Sequence, residues 1–183
     1  MKLVVAAAML AAGTAPAQQP AAPAPARRPV EHFAALPFME EPSLSPDGAK
    51  VAAKVAARGK QFLAVVPLGQ QRGQPKLMAS GRYDINWWRW VNDEWLVVGI
   101  GTVQSVAGQD FYVTRAIGVS ADLATINPLG AREAGQNADD LLWTASDGTP
   151  RILLAQQTSI YFSDEGFWPE VVEIDVATRK SRR

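Results

Sequence analysis

The chain has 183 residues, 48% of them hydrophobic, which is enough for one ordinary domain or for part of a larger one. Its formal net charge is zero and it has no long basic block, so we expect no nucleic-acid partner. It has no cysteine and one histidine, His32, which excludes disulfides, thiolate chemistry, Cys-based zinc sites and multi-histidine metal sites.

Residues 1–17 have the pattern of a secretory signal peptide. Lys2 is the positive region, Leu3 to Ala12 is a short apolar run, and Ala15-Pro16-Ala17 matches the A-x-A cleavage pattern. The apolar run is too short to span a bilayer, which takes about 20 residues. We therefore expect an exported protein, periplasmic or secreted, that is cleaved after Ala17 and does not span the membrane.

A linker and a tight turn come before the first predicted strands. Residues 18–29, QQPAAPAPARRP, are a Pro/Ala-rich linker, because proline removes amide donors and keeps the chain extended. Val30 to Met39 is compatible with one helical turn. Ser45-Pro46-Asp47-Gly48 predicts a tight turn, because proline presets φ and glycine takes a positive φ. The strand candidates that follow are Lys50–Ala57, Gln61–Pro67 and Lys76–Ala79.

Four of the six tryptophans lie between Asp84 and Gly101, in the stretch DINWWRWVNDEWLVVGIG. Tryptophan and β-branched residues favour a pleated, buried surface, and the polar break Asn92-Asp93-Glu94 predicts a hairpin turn. A hairpin that is apolar on both faces must be covered on both sides. We interpret these tryptophans as core, with a solvent-facing aromatic platform as the alternative. By alternation, the two faces are Ile85, Trp87 and Val91 on one side and Trp88 and Trp90 on the other.

The rest of the chain predicts further short strands separated by turns. Gly101 to Gln109 is predicted to be a loop, and Gln156 to Trp168 is predicted to be irregular. Ser146-Asp147-Gly148-Thr149 predicts another turn of the Asp47 kind. The strand candidates are Phe111–Val119, Ala124–Leu129, Asp139–Ala145, Arg151–Ala155 and Glu170–Val176.

These elements form a repeat. Asp47, Asp93 and Asp147 each lie in a turn between two apolar strands, and each hairpin is followed by a second strand pair whose outer member is shorter and more polar. Four strands in about 45–55 residues is the size of a β-propeller blade. We therefore predict an all-β fold, a partial β-propeller over residues 30–183. Its three blades are predicted at residues 43–80, 84–130 and 139–183, and the third blade is predicted to lack its last strand.

Three motifs resemble those of one peptidase family. Residues 44–52, LSPDGAKVA, resemble the LSPDGxxVA blade signature of prolyl-oligopeptidase-family (S9) serine peptidases, which TolB-like propellers share. Residues 86–97, NWWRWVNDEWLV, resemble the second blade of an exported bacterial subgroup, and residues 170–178, EVVEIDVAT, resemble the VYxVDxxTG strand and turn. The resemblance covers residues 30–183. It implies a propeller that gates and docks over a peptidase active site and admits only short peptides.

The resemblance also implies a C-terminal α/β-hydrolase domain as the partner in full-length relatives. The G-x-S-x-G nucleophile elbow and the Ser, Asp, His triad of that domain do not occur in this sequence. Gly118-Val119-Ser120-Ala121-Asp122 lacks the closing glycine, and His32 is in the entry segment. We therefore expect a chain truncated before the hydrolase domain and inactive alone. Two alternatives stay open: a stand-alone TolB-like binding or scaffold module, and a gene fragment with no role of its own.

No residue is predicted to be catalytic, cofactor-binding or metal-binding. Glu40-Glu41 resembles the paired glutamates that grip a substrate amine in dipeptidyl-peptidase relatives, but it precedes the first predicted strand and is interpreted as a solvated lead-in. Asp164-Glu165 and Asp139-Asp140 offer oxygen ligands, but the calcium-loop pattern is missing. The residues interpreted as strand-end charges are Asp84, Arg89 and Arg115.

An incomplete ring leaves apolar faces uncovered at both ends, because a propeller usually closes with about 4–8 blades. We therefore expect the isolated chain to be marginally stable or to self-associate. The residues expected on the uncovered faces are Val51, Val55, Leu63 and Val65 at one end, and Leu141, Leu142, Trp143, Ile152, Leu153 and Leu154 at the other.

Overall fold

A computed structural model of the chain describes residues 28–29, 38–57, 59–69, 73–130 and 134–183. This part of the chain is all-β, as predicted: its strands form three four-stranded antiparallel sheets, numbered here in chain order. No helix within the described ranges has the length and hydropathy needed to cross a membrane. The predicted signal peptide, His32 and most of the predicted linker and helical turn lie outside the described residues.

Sheet 1 contains β1 (Met39–Leu44), β2 (Lys50–Ala57), β3 (Lys60–Pro67) and β4 (Lys76–Ala79), paired in that order. The three predicted strands and the Asp47 turn are confirmed, and Gly48 has the expected positive φ of 70°. β1 is additional, because the segment that was expected to end a helical turn pairs with β2. Its Pro42 is tolerated because β1 is an edge strand with a register shift between Glu40 and Ser43.

Sheet 2 contains β5 (Asp84–Trp90), β6 (Trp95–Val106), β7 (Gln109–Ser120) and β8 (Ile126–Pro128). β5 and β6 form the predicted tryptophan hairpin. The predicted loop at Gly101–Gln109 is wrong: β6 continues to Val106 and joins β7 through Ala107-Gly108, whose φ angles are 51° and 80°. Two residues with positive φ match the twist of paired strands, so the hairpin extends through the glycine- and serine-rich stretch.

A bulge in β5 changes the predicted faces of the tryptophan hairpin. Asn86 is an extra residue between the pairs that Ile85 and Trp87 form with β6. One extra residue inverts the alternation of side chains, so Ile85 lies in the same core as Trp88 and not on the Trp87 face. Val91 remains with Trp87, as predicted.

Sheet 3 contains β9 (Asp140–Thr144), β10 (Arg151–Gln156), β11 (Glu170–Asp175) and β12 (Ser181–Arg182). The prediction that this unit lacks its last strand is wrong, because β12 pairs with β11 at Ile174–Ser181 and Glu173–Arg182. A strand of one serine and one arginine has no hydrophobic alternation that a sequence pattern could detect. The segment between β10 and β11 is irregular as predicted, except for a short 3-10 helix at Glu165–Phe167.

Sheet 2 lies between sheets 1 and 3, and each of its faces is buried against one of them. The core shared with sheet 1 includes Ala52, Leu63, Val65, Trp88, Leu96 and Val98. The core shared with sheet 3 includes Val97, Ala116, Ile152, Leu154, Ile174 and Val176. The prediction that the tryptophan hairpin is covered on both sides is therefore confirmed.

The residues predicted for the uncovered faces divide between two environments. The prediction is wrong for Leu63, Val65, Ile152 and Leu154, which face sheet 2 and are buried. Successive residues of a strand point to opposite faces, so one strand cannot place all its apolar residues on the open side. Leu141 also packs toward sheet 2. The residues that remain at least partly exposed away from sheet 2 are Val51, Val55, Leu142, Trp143 and Leu153.

The turns at Asp47, Asp93 and Asp147 lie in a row at one end of the stack, which we call the turn end. The N–H of Asp47 donates to Asp93 Oδ1 at 2.8 Å, and Asn92 Nδ2 donates to the Gly148 carbonyl oxygen at 2.9 Å. Equivalent turns of neighbouring sheets therefore touch each other. This is the arrangement expected of a repeated unit that stacks without a shift.

Candidate functional site

A cleft of about 470 Å³ opens at the turn end between sheets 1 and 2. Its apolar wall is formed by Val65, Pro67, Trp95 and Ala121. Its charged rim is formed by Lys50, Lys76, Asp93, Glu94 and Asp122. An apolar wall with both charge signs on the rim can bind a small group that carries an ammonium and a carboxylate.

Two turns beside this cleft share one hydrogen-bond pattern between a serine and an aspartate. This shared pattern was not predicted from the sequence. At Ser45-Pro46-Asp47, Asp47 Oδ1 accepts hydrogen bonds from the serine Oγ at 2.6 Å and from the Ala49 N–H at 2.9 Å. Ser120-Ala121-Asp122 repeats both bonds at 2.5 and 3.1 Å, with the Ala124 N–H as second donor. The serine bond is the main reason that the pKa of each aspartate is lowered. The shared Ser-x-Asp spacing was the available signal.

The serine of the nearest match to a nucleophile elbow is therefore part of a turn. Ser120 Oγ donates to Asp122 and accepts the Thr125 N–H at 2.9 Å. An acyl-transfer serine needs a base within hydrogen-bond reach, and no described residue is a histidine. The Ser120 hydroxyl is thus engaged by hydrogen bonds within its own turn.

A second cleft, of about 440 Å³, lies along the first strands of sheets 1 and 2. Trp88 and Trp90 line it, and their indole N–H groups donate to Ser43 Oγ and Ser43 O, both at 3.2 Å. Glu41 and Arg89 bring opposite charges to it. Glu41 has a φ of 48°, which a non-glycine residue adopts only where its surroundings hold it, and here it lies in the bulge of β1.

The Glu40-Glu41 pair is inside β1, not before the first strand as predicted. Glu40 Oε2 forms an ion pair with Lys54 Nζ at 2.8 Å. Glu41 is exposed and lines the second cleft. The two carboxylates therefore have separate environments, and only Glu41 is open to a ligand.

Asp139 and Arg115 fasten the segment before β9 to sheet 2. Asp139 is buried and accepts hydrogen bonds from Trp87 Nε1 at 2.9 Å and from Thr114 Oγ1. Arg115 donates to the carbonyl oxygens of Ala134-Gly135, each at 2.9 Å. Burial lowers the pKa of its guanidinium. Arg115 lies inside β7, so the prediction of a strand-end charge is wrong for this residue.

The other acidic candidates lie apart from one another. Asp164 Oδ2 accepts the Ser159 hydroxyl at 2.6 Å within its own loop. Asp84, at the start of β5 as predicted, accepts the Tyr112 hydroxyl at 3.2 Å. Across the described ranges, no group of three or more acidic or histidine side chains is placed to hold a metal ion.

Comparison with known proteins gives no assignment. No protein-family model matches the sequence, and a search of the curated proteins found no match. The resemblance to S9 propellers therefore depends on the short motifs, together with the stacked sheets.

Proposed function

We propose that this chain is the N-terminal β-propeller portion of an exported S9-like serine peptidase and that it acts as a gate and docking surface for short peptides. The observation that carries the proposal is the stack of four-stranded sheets whose Asp47, Asp93 and Asp147 turns meet in a row. Propeller blades are four-stranded sheets repeated in this way. The NWWRWVNDEWLV motif lies in sheet 2, which supports its comparison with the second blade of the family.

The face of sheet 1 that points away from sheet 2 supports a ring with further sheets. Apart from Lys60 at its end, the paired residues on this face are apolar: Met39, Leu44, Val51, Ala53, Val55, Ala57, Phe62, Ala64, Val66, Leu77 and Ala79. Sheet 2 presents apolar faces to both of its neighbours, so a further sheet would bury this face in the same way.

The gating role would fall to the first strands of the sheets. β1, β5 and β9 each lie at an edge of their sheet. In a closed ring these edges would line the central channel. The cleft that contains Glu41 and Arg89 would then meet the peptide, with the carboxylate facing its amine and the guanidinium facing its carboxylate.

The proposal is tested on the polypeptide that the source cell makes. We expect its coding sequence to continue past the Arg183 codon into a region with a G-x-S-x-G motif. We also expect the mature polypeptide to begin at Gln18 and to react with a fluorophosphonate probe. A native polypeptide that ends at Arg183 and stays unlabelled would overturn the proposal and favour a stand-alone TolB-like binding module.

A further inference from the structure

The loop between β10 and β11, residues 157–169, carries an exposed aromatic cluster. The equivalent connections of sheets 1 and 2 are much shorter, because β3 begins three residues after β2 ends at Ala57, and β7 begins three residues after β6 ends at Val106. Phe162, Phe167 and Trp168 meet edge to face, with ring centroids 5.2, 5.5 and 5.9 Å apart. Phe162 is 73% exposed and Trp168 is 63% exposed. Large aromatic side chains gain most from burial, so such a cluster marks an interaction surface.

Hydrogen bonds within the loop hold the cluster in place. The N–H groups of Thr158 and Ser159 donate to the Gly166 carbonyl oxygen at 2.8 and 2.9 Å, and Gln157 Nε2 donates to Phe167 O at 2.9 Å. A side chain at Gly166 would overlap Thr158 Oγ1. A compact loop whose ends are tied together is an Ω-loop, a form that frequently carries function. Because the rings are already ordered, binding costs less conformational entropy.

The stretch of chain that contains this cluster carries acidic residues and no basic ones. Residues 152–178 contain no Lys, Arg or His. Asp164 and Glu165 lie beside the rings in the chain and form no ion pair with any described residue. An aromatic face attracts a cation, and a nearby carboxylate strengthens that attraction.

We propose that this loop binds a polypeptide segment in which arginine or lysine stands beside apolar residues. The apolar residues cover the rings of Phe162 and Trp168, and the cation pairs with Glu165. This site goes beyond the proposed function and does not depend on it, because the loop carries the same chemistry in a peptidase propeller or in a stand-alone module.

The test titrates the full chain into a fluorescently labelled peptide of repeating leucine-arginine-proline units and follows its anisotropy. A second peptide carries citrulline, the uncharged analogue, in place of arginine. We expect the arginine peptide to bind at least about tenfold more tightly, with an affinity that falls as salt is added. Equal binding of both peptides, or no binding up to the solubility limit of the protein, would overturn the proposal.

Substitutions in the loop then test whether the arginine peptide binds there. We expect Phe162→Ala to abolish binding of the arginine peptide, and Glu165→Gln to reduce both its affinity and its salt dependence. Trp143→Ala, which removes an exposed tryptophan outside the loop, is the matched control and should bind like the parent. All three side chains are more exposed than core residues, so a cooperative thermal transition well above the assay temperature establishes that each variant is folded. A Phe162→Ala variant that binds like the parent would exclude this surface.

Discussion

The two outward faces of the stack differ in chemistry, although sheets 1 and 3 have the same strand order. The face of sheet 1 is apolar, and Leu44 and Leu77 on it are 60% and 54% exposed. The face of sheet 3 carries apolar residues beside charges: Glu173 pairs with Arg182 at 2.8 Å and with Arg151 at 3.6 Å. Exposed ion pairs contribute little stability, but they make a surface compatible with water. Burying the outward face of sheet 1 would therefore remove apolar surface from water, whereas burying that of sheet 3 would also desolvate charged groups.

The largest expected effect is on the free energy of unfolding, when a tryptophan on a covered face and one on an outward face are each replaced by alanine. Trp88 is 2% exposed between sheets 1 and 2, whereas Trp143 is 44% exposed on the outward face of sheet 3. Trp88→Ala should lower the free energy of unfolding by about 3–5 kcal/mol, because it leaves a cavity in the core. Trp143→Ala should cost much less. Urea denaturation of both variants checks this, and equal costs would contradict the assignment of sheet 2 as the buried centre.

A second substitution tests the packing contact between sheets 2 and 3. Gly118 lies against Val176, and a Cβ at this glycine would overlap Val176 Cγ1. Gly118→Ala should therefore destabilise the fold by about 1–3 kcal/mol through overpacking. Adding Val176→Ala removes the opposing methyl group, so the double variant should be more stable than the sum of the two single changes predicts. Strict additivity in denaturation measurements would show that these sheets do not meet there.

The sequence is sufficient to predict most strands and all three aspartate turns, because alternation and turn chemistry are local. The sequence does not predict features that depend on which residues of two strands lie opposite each other. The Asn86 bulge, which moves Ile85 to the other face, depends on pairing with β6. The fourth strand of sheet 3 is recognisable only from its pairing with β11, in which Ser181 lies opposite Ile174. The separation of Glu40 from Glu41 also depends on a partner across the sheet, Lys54. In the candidate site, the Ser-x-Asp turns could have been recognised from their spacing, whereas the clefts could not.

We predict that the isolated chain self-associates through the apolar outward face of sheet 1. Leu77→Lys should weaken this association by about tenfold, or about 1.4 kcal/mol, because each copy would have to bury a charge. Val171→Lys, on the partly charged face of sheet 3, is the matched control and should change the association little. Sedimentation velocity over a concentration series measures both variants. If the control lost association and Leu77→Lys kept it, the faces would have been assigned the wrong way round.

The smallest effect concerns the charged end of sheet 3, where Asp147 accepts hydrogen bonds from the Thr149 hydroxyl and N–H at 2.5 and 3.0 Å and from Arg151 Nη2 at 2.7 Å. These contacts, the Thr149 side chain first, lower the pKa of Asp147 from 3.8 to about 2. The folded state therefore holds the proton less tightly than the unfolded state does. The stability that Asp147 contributes is complete above pH 3.8 and is lost as the pH falls through about 2.

Asp147→Asn should accordingly have a lower thermal midpoint than the parent at neutral pH, and the two midpoints should converge as the pH approaches 2. The effect is small because the carboxylate is exposed to solvent, which screens its contacts. Asp110→Asn is the control, because it removes an exposed carboxylate that accepts no hydrogen bond within the described part of the chain. A gap between parent and Asp147→Asn that stayed constant from neutral pH to pH 2 would mean that the substitution acts through turn geometry. In that case the negative charge of Asp147 would contribute no stability, and the charged end of sheet 3 would not differ in pH dependence from the apolar face of sheet 1.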